Sequence, residues 1–150
     1  MPMKPRGLAI LILILILGCV ACVPIPHRYQ HDPNVEGEIH VGGTNTSPIS
    51  VALFRCAPWL DECVNEQKLD TSPIANSGAF RLAGTRKFVG YAVVMAHCDW
   101  QWNVEFYDSE SSVIGVYHFG RYGPCVAPEV VKLKCTLPVE GEVLCESSGI

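Results

Sequence analysis

An all-β fold, a small β-sandwich stapled by disulfides, is what this sequence predicts, and three observations carry the prediction. Short runs alternate apolar with polar residues, the period of a half-buried strand. Clusters of Gly, Pro, Asn and Ser punctuate them, and no helical apolar stripe of useful length occurs. Eight cysteines lie among 150 residues, six of them beyond residue 50. That even set suits an exported domain reinforced by disulfides. The length allows one domain.

The elements follow in chain order. Val35, Ile39 and Val41 share one face of a strand, with Glu36, Glu38 and His40 on the other. Gly42 to Pro48 has turn chemistry, and Ile49, Val51 and Leu53 form the inner face of a second strand. Cys56 to Asp70 is polar and reads as irregular, with at most a short helical turn. Ala75-Asn76-Ser77-Gly78 turns the chain into Ala79-Phe80-Arg81-Leu82. Phe88 to Met95 is nearly all apolar, as expected of a central strand buried on both faces. Trp102, Val104 and Phe106 alternate with polar residues. Val113 to Phe119 is β-branched and aromatic. Val131, Leu133 and Cys135 alternate with Lys132 and Lys134. The expected organisation is a signal segment at 1–21, a proline-containing extended tether at 22–34, and the sandwich at 35–150.

The first segment has the order of a secretory signal. Lys4 and Arg6 precede the apolar run Leu8 to Leu17, and the small residues Gly18 and Ala21 follow. The run is about ten residues, whereas a transmembrane helix needs roughly 20. Ile16-Leu17-Gly18-Cys19 and Cys19-Val20-Ala21-Cys22 both resemble the lipobox of bacterial lipoproteins, in which the signal is cut before a cysteine that then carries diacylglycerol. Cys19 fits at all three preceding positions. Cys22 fits at two, and Cys22-Val23-Pro24-Ile25-Pro26-His27 resembles the start of small bacterial lipoproteins. Parity favours Cys22: its use discards Cys19 and leaves six cysteines that can pair completely. The residue after either cysteine is valine, not the Asp that favours inner-membrane retention. The resemblance therefore implies an outer-membrane protein facing the periplasm, anchored by palmitate-type acyl chains. Ordinary secretion without lipid is the alternative.

A second resemblance covers about a third of the exported chain. Val35-x-Gly37-x-Ile39, the Gly-rich turn, Pro48 and Ile49-x-Val51-x-Leu53 resemble the opening of carboxypeptidase-regulatory-like, or transthyretin-like, domains. Ser77-Gly78-Ala79-Phe80-Arg81-Leu82 resembles their later strand entry, with Ser77 in place of the usual Asp. Gly84-Thr85-Arg86-Lys87, before an apolar strand ending in His97-Cys98, also looks like secreted nematode members. The enzymes of that family that hydrolyse a urate derivative carry a Tyr-Arg-Gly-Ser motif, which does not occur here.

Cys56, Cys63, Cys98, Cys125, Cys135 and Cys145 are read as disulfides. Cys56-x6-Cys63 and Cys135-x9-Cys145 are too widely spaced for the close pairs of a structural zinc site. The local choice pairs Cys56 with Cys63 across a loop and Cys135 with Cys145 across a hairpin, leaving Cys98 for Cys125. No Cys-x-x-Cys occurs. No metal or other cofactor is expected. His27-x3-His31 has helical chelating spacing but sits among prolines, so both are read as solvated linker residues. His97, Cys98 and Asp99 are consecutive, and neighbours on a strand point to opposite faces. Serine-hydrolase, P-loop and dinucleotide motifs are also missing.

Charge narrows the partners. Without Lys4 and Arg6 the chain has 9 basic and 15 acidic residues, a net charge of −6. Nucleic acid, which needs a basic footprint, is therefore not an expected partner. Trp59 lies in the acidic loop closed by Cys56 and Cys63, and Arg121 and Tyr122 lie in a glycine-rich turn. These are the candidate partner-binding residues, because Trp, Tyr and Arg dominate interface energetics. The functional expectation is a non-enzymatic, membrane-anchored envelope lipoprotein. It would bind a protein or envelope component, either as an inhibitor or immunity protein or as a structural part. A secreted transthyretin-like protein and a hydrolase with an unrecognised site are the alternatives.

Overall fold

The computed structural model describes residues 27–43, 47–57, 63–89, 97–124, 126–138 and 142–150. Ten strands run through them: β1 His27–Gln30, β2 Asn34–Val41, β3 Ser50–Cys56, β4 Asn65–Pro73 and β5 Ala79–Leu82, then β6 Arg86–Val89, β7 His97–Tyr107, β8 Val113–Pro124, β9 Val130–Leu137 and β10 Leu144–Ser148. They form a four-stranded sheet ordered β10-β9-β2-β5, a second ordered β4-β3-β7-β8, and a two-stranded sheet of β1 and β6. The fold is all-β and the two larger sheets make a sandwich. Pairing is antiparallel except between β2 and β9, which run parallel from Asn34↔Val130 to Val41↔Leu137.

The core follows from the alternation. On β9, Val131, Leu133, Cys135 and Leu137 are buried while Lys132, Lys134 and Thr136 face water. They meet Val35, Ile39, Phe80 and Leu82 from their own sheet, and Val51, Leu53, Trp102, Val104 and Phe106 from the other. Burying each large side chain contributes about 1.5–3 kcal/mol. Phe80 and Phe106 join the two sheets edge to face, with ring centroids 5.6 Å apart. Phe80 pairs with Gly37, and its ring lies where a side chain at 37 would stand: an added Cβ would come within 2.5 Å of Phe80 Cζ. The Ala75–Gly78 turn closes by Gly78 N–H donating to Ala75 O at 2.8 Å, with Gly78 at φ +85°. A Cβ there would strike Ile39 O at 2.2 Å, so glycine is needed for both backbone and space.

Four expectations are corrected. Folded structure begins before Val35: the predicted tether supplies β1, paired with β6, and Asp32 and Pro33 are completely buried. His31, expected to be a solvated linker residue, is partly buried accordingly. The polar stretch after Cys56 is not all irregular, because Asn65–Pro73 forms β4 on β3. An edge strand buries only part of itself, so it needs few apolar residues, and two register shifts blunt it further. Phe88, where the expected central strand would begin, is not buried. It is 67% exposed on β6, whose one partner among the described residues is β1. Gly90–Ala96 lie outside the described residues. Val41 and Ile49, placed on inner faces by alternation, sit at strand ends beyond the overlap of the sheets and are exposed.

Candidate functional site

The richest chemistry gathers at the end of the sandwich where β3 and β7 part. Their ladder runs from Ser50↔Tyr107 to Arg55↔Trp102 and stops there, while β7 continues back to His97 beside β8. Arg55 follows Val51 and Leu53 on the inner face, so its guanidinium enters the sandwich and needs an anion. Asp32 supplies it. Arg55 Nε donates to Asp32 Oδ1 at 2.8 Å, and Arg55 Nη2 donates to Oδ2. Trp102 Nε1 donates to Oδ1 at 3.1 Å, and the Thr85 hydroxyl donates to Oδ2. The Asp32 side chain is fully buried and that of Arg55 is 16% exposed. Burial pushes the Asp32 carboxyl up, but the hydrogen bonds from Arg55, Thr85 and Trp102 and the Arg55 charge outweigh it, and the net shift is downward. A buried pair of this kind is held by complete hydrogen bonding more than by bare attraction.

Backbone contacts fasten the same segment. His31 and Asp32 N–H donate to Thr85 O, and Ala127 N–H donates to Gln30 O at 3.0 Å. An aromatic ladder runs inward from His31. Its ring meets Trp100 edge to face at 5.0 Å, Trp100 stacks on Trp102 at 5.8 Å, and Trp102 stacks on Phe119 at 5.5 Å. Burial lowers the His31 pKa to about 4, against a raising effect of Asp32, with Arg55 and Lys87 adding to the fall. The imidazole is therefore neutral at neutral pH.

The outer face of the same sheet holds a second network. Asn103 is 3% exposed, covered by the Cys56–Cys63 disulfide, whose sulfurs lie against its Oδ1. Asn103 Nδ2 donates to Asn65 Oδ1 at 2.7 Å, and Asn65 donates onward to Glu105. His118 Nδ1 also contacts Asn103 Oδ1, which requires the tautomer with the proton on Nδ1. Tyr107 OH donates to Glu105, and burial together with that carboxylate raises its pKa to about 12.

Two adjoining cavities open here. One of about 510 Å³ lies between Cys56–Ala57 and the start of β7, and one of about 350 Å³ lies over Gly120 and His118. Asp99, Gln101 and Tyr122 border both. Tyr122 is 77% exposed. Arg121 lines the smaller cavity and pairs with Trp100 across the ladder. Cys56–Cys63 and Cys135–Cys145 are the disulfides that spacing predicted, the latter joining directly paired residues of β9 and β10. Cys98 is also disulfide-bonded, so its sulfur is no thiolate nucleophile. Cys125, Trp59, Cys19 and Cys22 lie outside the described residues, although Ala57 and Cys63, which flank the Trp59 loop, line these cavities. Among the described residues no group of three or more His, Cys, Asp or Glu is placed to hold a metal.

Sequence reading missed Asp32, Arg55, Trp100 and Asn103. Arg55 had a signal, since an arginine at the inner position of an alternating strand demands a buried acid. Asn103 had none, because its burial depends on a disulfide folding over the outer face.

No protein-family model matches the chain, and no curated protein matches it. A solved structure titled (S)-allantoin synthase is similar at a TM-score of 0.38 and 13% identity, over 79% of this chain. The chain spans 45% of that structure's length. A likeness at this level carries no argument about activity.

Proposed function

We propose that this chain is a non-enzymatic lipoprotein of the bacterial envelope, with a transthyretin-like sandwich that binds a protein partner through the end where β3 and β7 part. The observation that carries the binding reading is Tyr122: a large aromatic, 77% exposed, on the rim shared by two cavities. Arg121 stands beside it, and Tyr and Arg are the residue types that dominate interface energies. The rim rests on a frame stapled by Cys56–Cys63 and the Asp32–Arg55 pair, so little ordering is lost on binding.

The lipid reading rests on Gly18-Cys19 and Ala21-Cys22 after the apolar run. With the anchor on Cys22, four residues lie between it and His27, five steps of chain with a reach of at most about 18 Å. The domain would then stand close to the bilayer, and its partner would be found at the membrane surface.

Intact mass of the membrane-extracted protein, with and without reduction, tests the anchor. The expected mass is the chain from Cys22 plus acyl chains, with six hydrogens lost to three disulfides. A soluble, lipid-free product sinks the anchored reading in favour of the secreted one. A photocrosslinking residue at 122, used in intact envelopes, tests the binding face. It should trap a discrete partner that the same residue at 134, on the other sheet, does not.

A further inference from the structure

We infer that the Phe88 side of the β1–β6 ribbon rests on the bilayer that holds the anchor, with the Phe88 ring at the boundary between headgroups and acyl chains. This deepens the lipoprotein reading and rests on it.

The chain enters the fold through this ribbon. β1 begins at His27, and Arg28 stands across from Phe88 in the register. Arg28 is six steps of chain from Cys22, at most about 22 Å. A lipid on Cys22 therefore keeps the ribbon within that reach of the surface, whichever way the rest of the sandwich turns.

The outside of the ribbon suits that neighbour. Arg86, Lys87 and Phe88 are all exposed, Phe88 at 67%. A phenylalanine this open forfeits the gain of burial in water and recovers it at the acyl boundary. The eight ribbon residues include Arg28, Arg86 and Lys87 and no acid, although the exported chain as a whole is net acidic. Cations close to a membrane are drawn to anionic headgroups.

The two faces of β6 have different neighbours. Residues 86 and 88 share one face, and residue 87 takes the other. On the first face Arg86 Nε donates to Gln30 Oε1 at 3.0 Å, and Nη2 donates to Glu129 Oε1 at 2.9 Å. The Arg86 and Glu129 side chains are 58% and 74% exposed. An ion pair so open is weak, and a lipid phosphate competes well for the guanidinium. On the other face Lys87 comes near enough to His31 for its charge to act on that imidazole, and His31 lines the larger cavity. Phe88 is therefore turned away from the cleft, and a domain seated on Phe88 leaves the cleft open to a partner.

The test uses the oxidised chain from Cys22, with the Cys22 thiol coupled to a maleimide phospholipid in vesicles of phosphatidylglycerol and phosphatidylcholine. The tether is thus supplied chemically and does not depend on natural acylation. Benzoylphenylalanine replaces Phe88 or, as the control, Lys134, both exposed, and mass spectrometry counts the phospholipid adducts after illumination. Position 88 should capture lipid about tenfold more than position 134. Equal capture at the two positions, or an excess at 134, overturns the inference. With the crosslinker at 86 instead, Phe88→Asp should cut capture several-fold, and capture that survives the substitution overturns it as well. A native protein found lipid-free by intact mass removes the anchored reading whatever the tethered chain does. Equal capture with a lipidated native protein removes this inference alone.

Discussion

The outer faces of the two sheets are built on opposite principles. On the β10-β9-β2-β5 sheet, cross-strand register sets Glu36 opposite Arg81 and Lys132, and Glu38 opposite Lys134. Arg81 reaches Glu36 at 2.9 Å, and Lys134 stands 3.9 Å from Glu38, with the basic side chains largely exposed and the acidic ones partly so. That face is balanced in charge and solvated. The β4-β3-β7-β8 sheet instead carries neutral amides, a histidine and aromatics, with Asn103 sealed under a disulfide and acidic groups at the cleft. Lys68 lies over the Phe54 and Tyr107 rings at 5.7 and 5.9 Å rather than beside a carboxylate. Exposed ion pairs add little and are replaceable, whereas buried hydrogen-bonded groups are costly to disturb. Specific structure has been concentrated on one side of the sandwich, and that is where a partner site is best sought.

The sharpest way to break this contrast is Asp32→Ala. It strands the Arg55 guanidinium and removes the acceptor of Trp102 and Thr85, so stability should fall by about 3–5 kcal/mol. Urea unfolding measures it, and a loss below 1 kcal/mol would mean that water reaches the pair freely. Next comes Asn103→Ala, which leaves Asn65 and His118 without their shared partner and should cost about 1–3 kcal/mol. Retained activity in partner crosslinking would then separate support of the fold from contact.

Acid should sharpen the comparison further. The unfolded chain protonates His31 near 6.5, while in the folded protein its pKa is lowered to about 4. Between those values the unfolded state binds more protons, so stability falls as pH falls through this window. Asp32 acts in the same direction at lower pH. Its folded pKa is depressed, so its contribution is complete above its ordinary value of 3.8 and is lost as pH drops through the folded value. His31→Phe keeps the ring contact with Trp100 and should flatten the urea-midpoint profile between pH 6.5 and 4 alone. An unchanged profile would assign that slope to other groups.

The smallest effect belongs to the balanced face. Arg81→Ala should change stability by no more than about 1 kcal/mol, and by less at high salt. A larger loss would show that the ladder of charges acts as a network.

Local pattern made much of the sandwich legible. Alternation at Val51, Leu53, Trp102, Val104 and Phe106, and at Val131, Leu133 and Cys135, named residues that are all buried. Spacing alone picked out the Cys56–Cys63 and Cys135–Cys145 pairs, because short loops close easily. The errors share a cause. Apolar content at Phe88 suggests a strand buried on both faces, and polar content from Cys56 to Asp70 suggests irregular structure where Asn65–Pro73 in fact forms β4. How deeply a strand lies is set by its neighbours in the sheet, which local composition does not encode.

The candidate site was legible in part. Tyr122 and Arg121 stood out as recognition residues in a glycine-rich segment, and the structure sets both at the cavities. Asp32 did not, since an Asp-Pro beside a proline-rich stretch has the composition of a linker. It becomes the centre of a buried cluster only when β1 pairs with β6 and brings Thr85 beside it, and when β3 and β7 aim Arg55 and Trp102 inward.

By itself the sequence determined the fold class, the strand faces, the turns and the local disulfides, all properties of a few consecutive residues. Only the tertiary structure decided which strands became neighbours, where β3 and β7 part to open a cleft, and which acids are buried. Those outcomes depend on contacts between residues far apart in the chain, such as Asp32 with Trp102 at a separation of 70.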